Sequence, residues 1–115
     1  MGVRDIATAE FFQLTTSPQG KLVVVDFTAT WCGPCRRVAP QYEALSHRHP
    51  DVEFVKSTLV LPSPAPQVYE HNCREAIVSA GVRSFPTFHF YVDGRKVDQC
   101  SGANIRAVEQ RVLQH

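Results

Sequence analysis

Leu22-Val23-Val24-Val25-Asp26-Phe27-Thr28-Ala29-Thr30-Trp31-Cys32-Gly33-Pro34-Cys35 is the stretch that decides how this chain folds. Leu22 to Phe27 is apolar and β-branched nearly throughout, which predicts a parallel strand buried on both faces. The two thiols that follow stand at the start of a predicted helix, Pro34 to about His49. Val38, Tyr42 and Leu45 share one face of that helix, and Pro40 is expected to kink it. Unpaired N–H groups and the helix dipole at such a start favour a thiolate over a thiol, so Cys32 reads as a nucleophile. Two intervening residues let the sulfurs close into a disulfide, with Cys35 resolving any mixed disulfide formed on Cys32. Gly33 permits close approach of another backbone, and Pro34 fits near the first helical position, where its missing N–H costs nothing.

The same spacing is half of many structural zinc sites. A second half would have to come from Cys73, Cys100 or the five histidines, and none repeats the spacing. The reading is therefore redox chemistry, with no metal. With 115 residues, 43% hydrophobic content and a net charge of +1, the chain reads as one ordinary globular domain spanning 1–115. There is no basic excess to attract nucleic acid and no apolar run that could span a membrane. Met1 to Glu10 lacks the apolar segment of a signal peptide, so a reducing, cytoplasmic location is expected.

Outward from the motif, Val3 to Ile6 predicts a short edge strand. Thr8 is a plausible N-cap for a helix to about Leu14, and Ser17-Pro18-Gln19-Gly20 is a turn. Val52 to Lys56 is the next strand, and a helix from about Cys73 to Ala80 stops at Gly81. Thr87 to Val92 and Lys96 to Cys100 form a hairpin around Asp93-Gly94, and Asn104 to Gln114 closes the chain as an amphipathic helix. This order predicts an α/β domain: a central mixed sheet of about five strands with helices on both faces.

Val25 to Arg36 with Pro40, together with Gly81-Val82-Arg83-Ser84-Phe85-Pro86-Thr87-Phe88, resembles the active-site and second signatures of the thioredoxin family. Phe90 to Gly94 and Ser101 to Asn104 resemble its closing hairpin and last helix. The likeness spans about 100 of the residues. It implies the thioredoxin fold and a protein-disulfide reductase in which Cys32 attacks, Cys35 resolves and the buried Asp26 takes the Cys35 proton. Lys56 stands where some members carry a lysine near that carboxylate. Pro86 would be a cis-proline facing the disulfide, and Trp31, Phe85 and Gly102 would form the groove that receives a substrate strand. The resemblance further implies a monomer with no bound cofactor, given electrons from NADPH by a thioredoxin reductase, acting on disulfide-containing proteins. A thioredoxin-like interaction domain that docks partners without efficient turnover is the alternative.

Residues 57 to about 71 depart from the family as a Pro-rich insertion with roughly eleven extra residues, a length that is uncommon for a structureless loop. Its three alternating prolines favour an extended excursion that could select substrates, cover the groove or simply be tolerated. Cys100 reads as a small buried hydrophobe, Cys73 as an exposed and somewhat acidic thiol at a helix start. His47, His49, His71, His89 and His115 show no ligand spacing and default to the surface.

Overall fold

In the computed structural model, residues 2–60 and 73–115 are described. Five strands and four helices run in the order β1 (Arg4–Asp5), α1 (Thr8–Thr16), β2 (Leu22–Ala29), α2 (Gly33–Arg48), β3 (Glu53–Leu59), α3 (Arg74–Ser79), β4 (Thr87–Val92), β5 (Arg95–Ser101) and α4 (Ile105–Gln114). The sheet order is β1-β3-β2-β4-β5. β1, β3 and β2 are parallel, and β4 and β5 are antiparallel additions. The apolar run is thus the central strand of a mixed sheet, which is why both of its faces are buried.

Alternation along β2 sorts the core into two layers. Val23, Val25 and Phe27 pack with Phe11 of α1 and with Ala76 and Ile77 of α3. Leu22 and Val24 pack with Val38, Tyr42 and Leu45 of α2 and with Val108 and Val112 of α4. Helices therefore cover both faces, as the order of elements predicts. The Tyr42 hydroxyl lies within hydrogen-bond reach of the carbonyls of Val24, at 3.1 Å, and Val55, at 2.9 Å. It ties α2 to the seam between β2 and β3. The β4–β5 hairpin turns through Asp93 and Gly94, both at positive φ. Only glycine fits the second position, because a Cβ there would also come within 2.9 Å of the Thr16 backbone.

Several boundaries differ from the sequence reading. β1 is only two residues long. Thr8 is the first helical residue and Ala7 the N-cap, without a side-chain cap bond, and α1 runs on to Thr16. α2 begins one residue early, at Gly33, and continues unbroken through Pro40. β3 does not stop at Lys56. Ser57, Thr58 and Leu59 pair with Phe27, Thr28 and Ala29, so the first residues assigned to the insertion are strand. The long β2 offers pairing partners to its very end, and this outweighs the polar character of Ser57-Thr58. The rest of the insertion, 61–71 with its prolines, lies outside the described residues, as does His71.

Candidate active site

β2 ends at Ala29 and the chain turns through Thr30 and Trp31 into α2, with Cys32 as the N-cap residue. Cys32 and Cys35 are joined in a disulfide, their Cα atoms 5.3 Å apart. The Cys35 N–H donates to Cys32 Sγ at 3.2 Å, so the sulfur occupies the place that a Ser or Asp oxygen takes in an ordinary cap. A negative charge on that sulfur would meet both the unpaired N–H groups and the positive end of the helix dipole. This is the physical basis for reading Cys32 as the nucleophile. Both sulfurs are covered, Cys32 being 4% and Cys35 3% exposed, among Ala29, Leu59 and Phe85.

Approach to the disulfide is shaped by two loops. The Phe85–Pro86 peptide is cis, and the Phe85 carbonyl oxygen lies 3.7 Å from Cys32 Sγ. The Phe85 ring meets the Trp31 indole edge-on, with centroids 6.0 Å apart, and Trp31 is 54% exposed. Gly102 adopts φ +91° with nothing within 4 Å of a would-be Cβ, and its N–H donates to the Pro86 carbonyl at 2.9 Å. Trp31, Phe85, Pro86 and Gly102 thus come together from three separate stretches of chain beside the disulfide. Pro34 lies in the first turn of α2, and Gly33 before it is uncrowded, its would-be Cβ meeting only the Arg37 guanidinium at 3.7 Å.

Asp26 is 3% exposed. Alternation puts it on the face of β2 that carries Val24, beneath the α2 face formed by Cys35, Val38 and Tyr42. Burial pushes its carboxyl up to about 7, against a smaller opposing pull from Lys56, its partner in the β2–β3 register. Its Oδ1 has no hydrogen-bond partner among the described residues. A carboxyl that titrates near neutrality can both accept and return a proton.

Two residues are not where the sequence suggests. Cys73 is not exposed: it is 0% exposed, and its thiol donates to the Ile6 carbonyl at 2.9 Å. The N–H of Cys73 bonds the Thr58 carbonyl beyond the end of the predicted strand, which draws the residue under the sheet edge. His89 is not a surface histidine either. It is 3% exposed on β4, edge-on to Phe27 at 4.8 Å, with Nδ1 3.3 Å from the Tyr91 hydroxyl. Burial, aided by Lys96, pulls its imidazole down to about 4. The alternation Thr87-Phe88-His89-Phe90-Tyr91, inside a strand apolar on both sides, is the signal that could have found it. Cys100 is half-buried, and burial raises its thiol. Among the described residues no cluster of three or more His, Cys, Asp or Glu could hold a metal ion, and no helix is long and apolar enough to cross a membrane.

Comparison with known proteins agrees with this geometry. The family model described as Thioredoxin matches residues 3–114. The chain is 42% identical over 95 residues to thioredoxin of Ictalurus punctatus, covering 83% of this chain and 80% of that one. It is 35% identical over 114 residues to thioredoxin of Mus musculus, covering 98% of each. Among solved structures, Fasciola hepatica thioredoxin superposes with a TM-score of 0.75 at 39% identity, over 100% of this chain and 99% of the other.

Proposed function

Because this chain belongs to the thioredoxin family and is a thiol-disulfide oxidoreductase that reduces protein disulfides through its Cys32/Cys35 dithiol, we propose the following division of labour in its site. The Cys32 thiolate attacks one sulfur of the substrate disulfide; the new S–S bond is a mixed disulfide, and the substrate's other sulfur leaves as a thiolate that takes up a proton. Cys35 then loses its proton to Asp26 and attacks Cys32. This closes the protein disulfide and releases the second substrate thiol. Two electrons pass from the dithiol to the substrate. The observation that carries this assignment is the Cys35 N–H directed at Cys32 Sγ at the start of α2.

Trp31, Gly33, Pro34, Phe85, Pro86 and Gly102 hold the substrate strand beside the disulfide. Lys56 tempers the charge on Asp26, whose carboxyl it pulls in the ionised direction. Electrons reach the disulfide from NADPH through a thioredoxin reductase, and no cofactor is bound. A reductase fed in this way works in a reducing compartment, which supports a cytoplasmic protein acting in electron transport and cell redox homeostasis as a monomer. Insulin reduction tests the reading. Turnover driven by NADPH and thioredoxin reductase supports it, whereas tight binding of a partner without turnover favours a docking module instead.

A further inference from the structure

The stretches of chain that meet at the substrate-facing sulfur carry cations that the motif does not require. Arg37 lies one turn into α2 with its guanidinium alongside Gly33, 3.7 Å from a would-be Cβ there. Arg36 stands next to it, its N–H on the Cys32 carbonyl at 3.2 Å. Arg83 is two residues before Phe85, whose carbonyl faces Cys32 Sγ. All three side chains are exposed. Elsewhere Arg4 pairs with Glu10 and Glu53, Arg48 with Glu109 and Arg111 with Asp98, while Arg74 and Arg95 have no acidic partner among the described residues. Among the described residues Arg36, Arg37 and Arg83 have no acidic partner. Arg106, in the first turn of the helix after Gly102, is a further exposed cation without one. Among the described residues, acids at this end of the sheet include Asp5 on the edge strand, to which Thr58 donates, and Glu75 in the first turn of α3.

We propose that Arg37 and Arg83, with Arg36, form a basic rim that selects protein disulfides flanked by Asp or Glu. The inference rests on the reductase activity and names its preferred substrates. Charges within about one Debye length, roughly 10 Å at 0.1 M salt, steer encounter and hold an incoming chain in register. Guanidinium groups with no acidic partner among the described residues, carried by the two stretches of chain that meet at the reactive sulfur, attract carboxylates there and repel lysines. The selectivity acts on encounter with the thiolate, so it appears in the second-order rate constant and fades with salt.

The test uses three synthetic peptides of one sequence with an internal disulfide flanked by Glu, Gln or Lys. The reduced protein is mixed with each, released peptide thiols are quantified by chromatography, and each rate is divided by that with dithiothreitol alone. This normalisation removes the effect of flanking charge on the peptide thiols themselves. The expected result is a normalised preference for the Glu peptide over the Lys peptide of about tenfold or more at 10 mM ionic strength, falling to within about twofold at 0.5 M. R37E/R83E should invert the low-salt preference. R95E/K96E, an equal charge change at the far hairpin, should leave it in place. Equal normalised rates, a preference that survives high salt, or inversion by R95E/K96E as well would each overturn the rim alone. No reduction of any peptide would overturn the reductase reading and the rim with it.

Discussion

Asp26→Asn should stabilise the protein, and the gain should depend on pH in a way set by burial. The carboxyl has an ordinary value of 3.8 and is pushed up to about 7 in the fold. Below pH 3.8 it is protonated in both folded and unfolded chains and costs nothing. Between the two values the folded state holds a proton that the unfolded state has released, so stability falls as pH rises, by about 1.36 kcal/mol per pH unit. Above pH 7 the whole penalty, about 4 kcal/mol, is present. His89 works in the opposite direction. Its folded value of about 4 lies below the ordinary 6.5, so stability falls as pH drops from 6.5 to about 4. Between about pH 4 and 6.5 the two slopes nearly cancel in the wild type. Asp26→Asn removes one of them. Urea unfolding of the oxidised protein should therefore give a gain of about 2–4 kcal/mol near pH 8, the lower figure allowing for a buried amide without partners. The gain should fall by about 4 kcal/mol between pH 8 and pH 4, to zero or below, and expose a stability that rises with pH between 4 and 6.5. A constant difference between variant and wild type from pH 4 to 8 would refute the reasoning.

The same substitution should slow reduction mainly at the step that resolves the mixed disulfide; unchanged rates between about pH 6 and 9 would remove Asp26 from the proton path. Cys35→Ser should leave attack intact and trap mixed disulfides on Cys32, whereas Cys32→Ser should abolish turnover, and mass spectrometry finding adducts only on Cys35 of the Cys32→Ser protein would reverse the assignment. His89→Phe should change stability little at neutral pH yet gain roughly 2 kcal/mol near pH 4.5, visible as a flatter acid limb in thermal melts. Tyr42→Phe should cost about 1–2 kcal/mol, because it strips a buried strand carbonyl of its donor, and an unchanged urea midpoint would contradict that bond. Cys73 should resist a thiol reagent in native buffer and react only at the rate of unfolding, so rapid labelling would show that its site opens locally.

Where the sequence was legible, the determinant was local. Leu22 to Cys35 carries its strand, its turn and its helix start in one contiguous run, and Asp93-Gly94 carries a turn that neighbouring residues cannot override. The Cys32/Cys35 disulfide and the cis Phe85–Pro86 bond followed from motif and resemblance. What was illegible depends on contacts distant in sequence. Cys73 is buried by Ile6 and Thr58, and nothing around position 73 announces either. His89 is inside because β4 lies between two strands and beneath helices, a fact of topology rather than of the residue. Ser57 to Leu59 became strand because the last residues of β2 needed partners. Arg36 and Arg83 stand inside the two signatures, but only the fold brings those two stretches together at Cys32.

The Cys35 N–H that points at Cys32 Sγ links the electrochemistry of the site to the fraying of a helix. A thiolate accepts that N–H more strongly than a sulfur sharing its electrons with another sulfur, so the first turn of α2 is held more firmly after reduction than before. The linkage is reciprocal: whatever firms that turn in the reduced form alone raises the reduction potential and makes the protein a weaker reductant. A cap difference of about 1 kcal/mol corresponds to about 20 mV for a two-electron couple. The Cys35 amide proton is accordingly a built-in gauge, exchanging with solvent faster in the disulfide than in the dithiol.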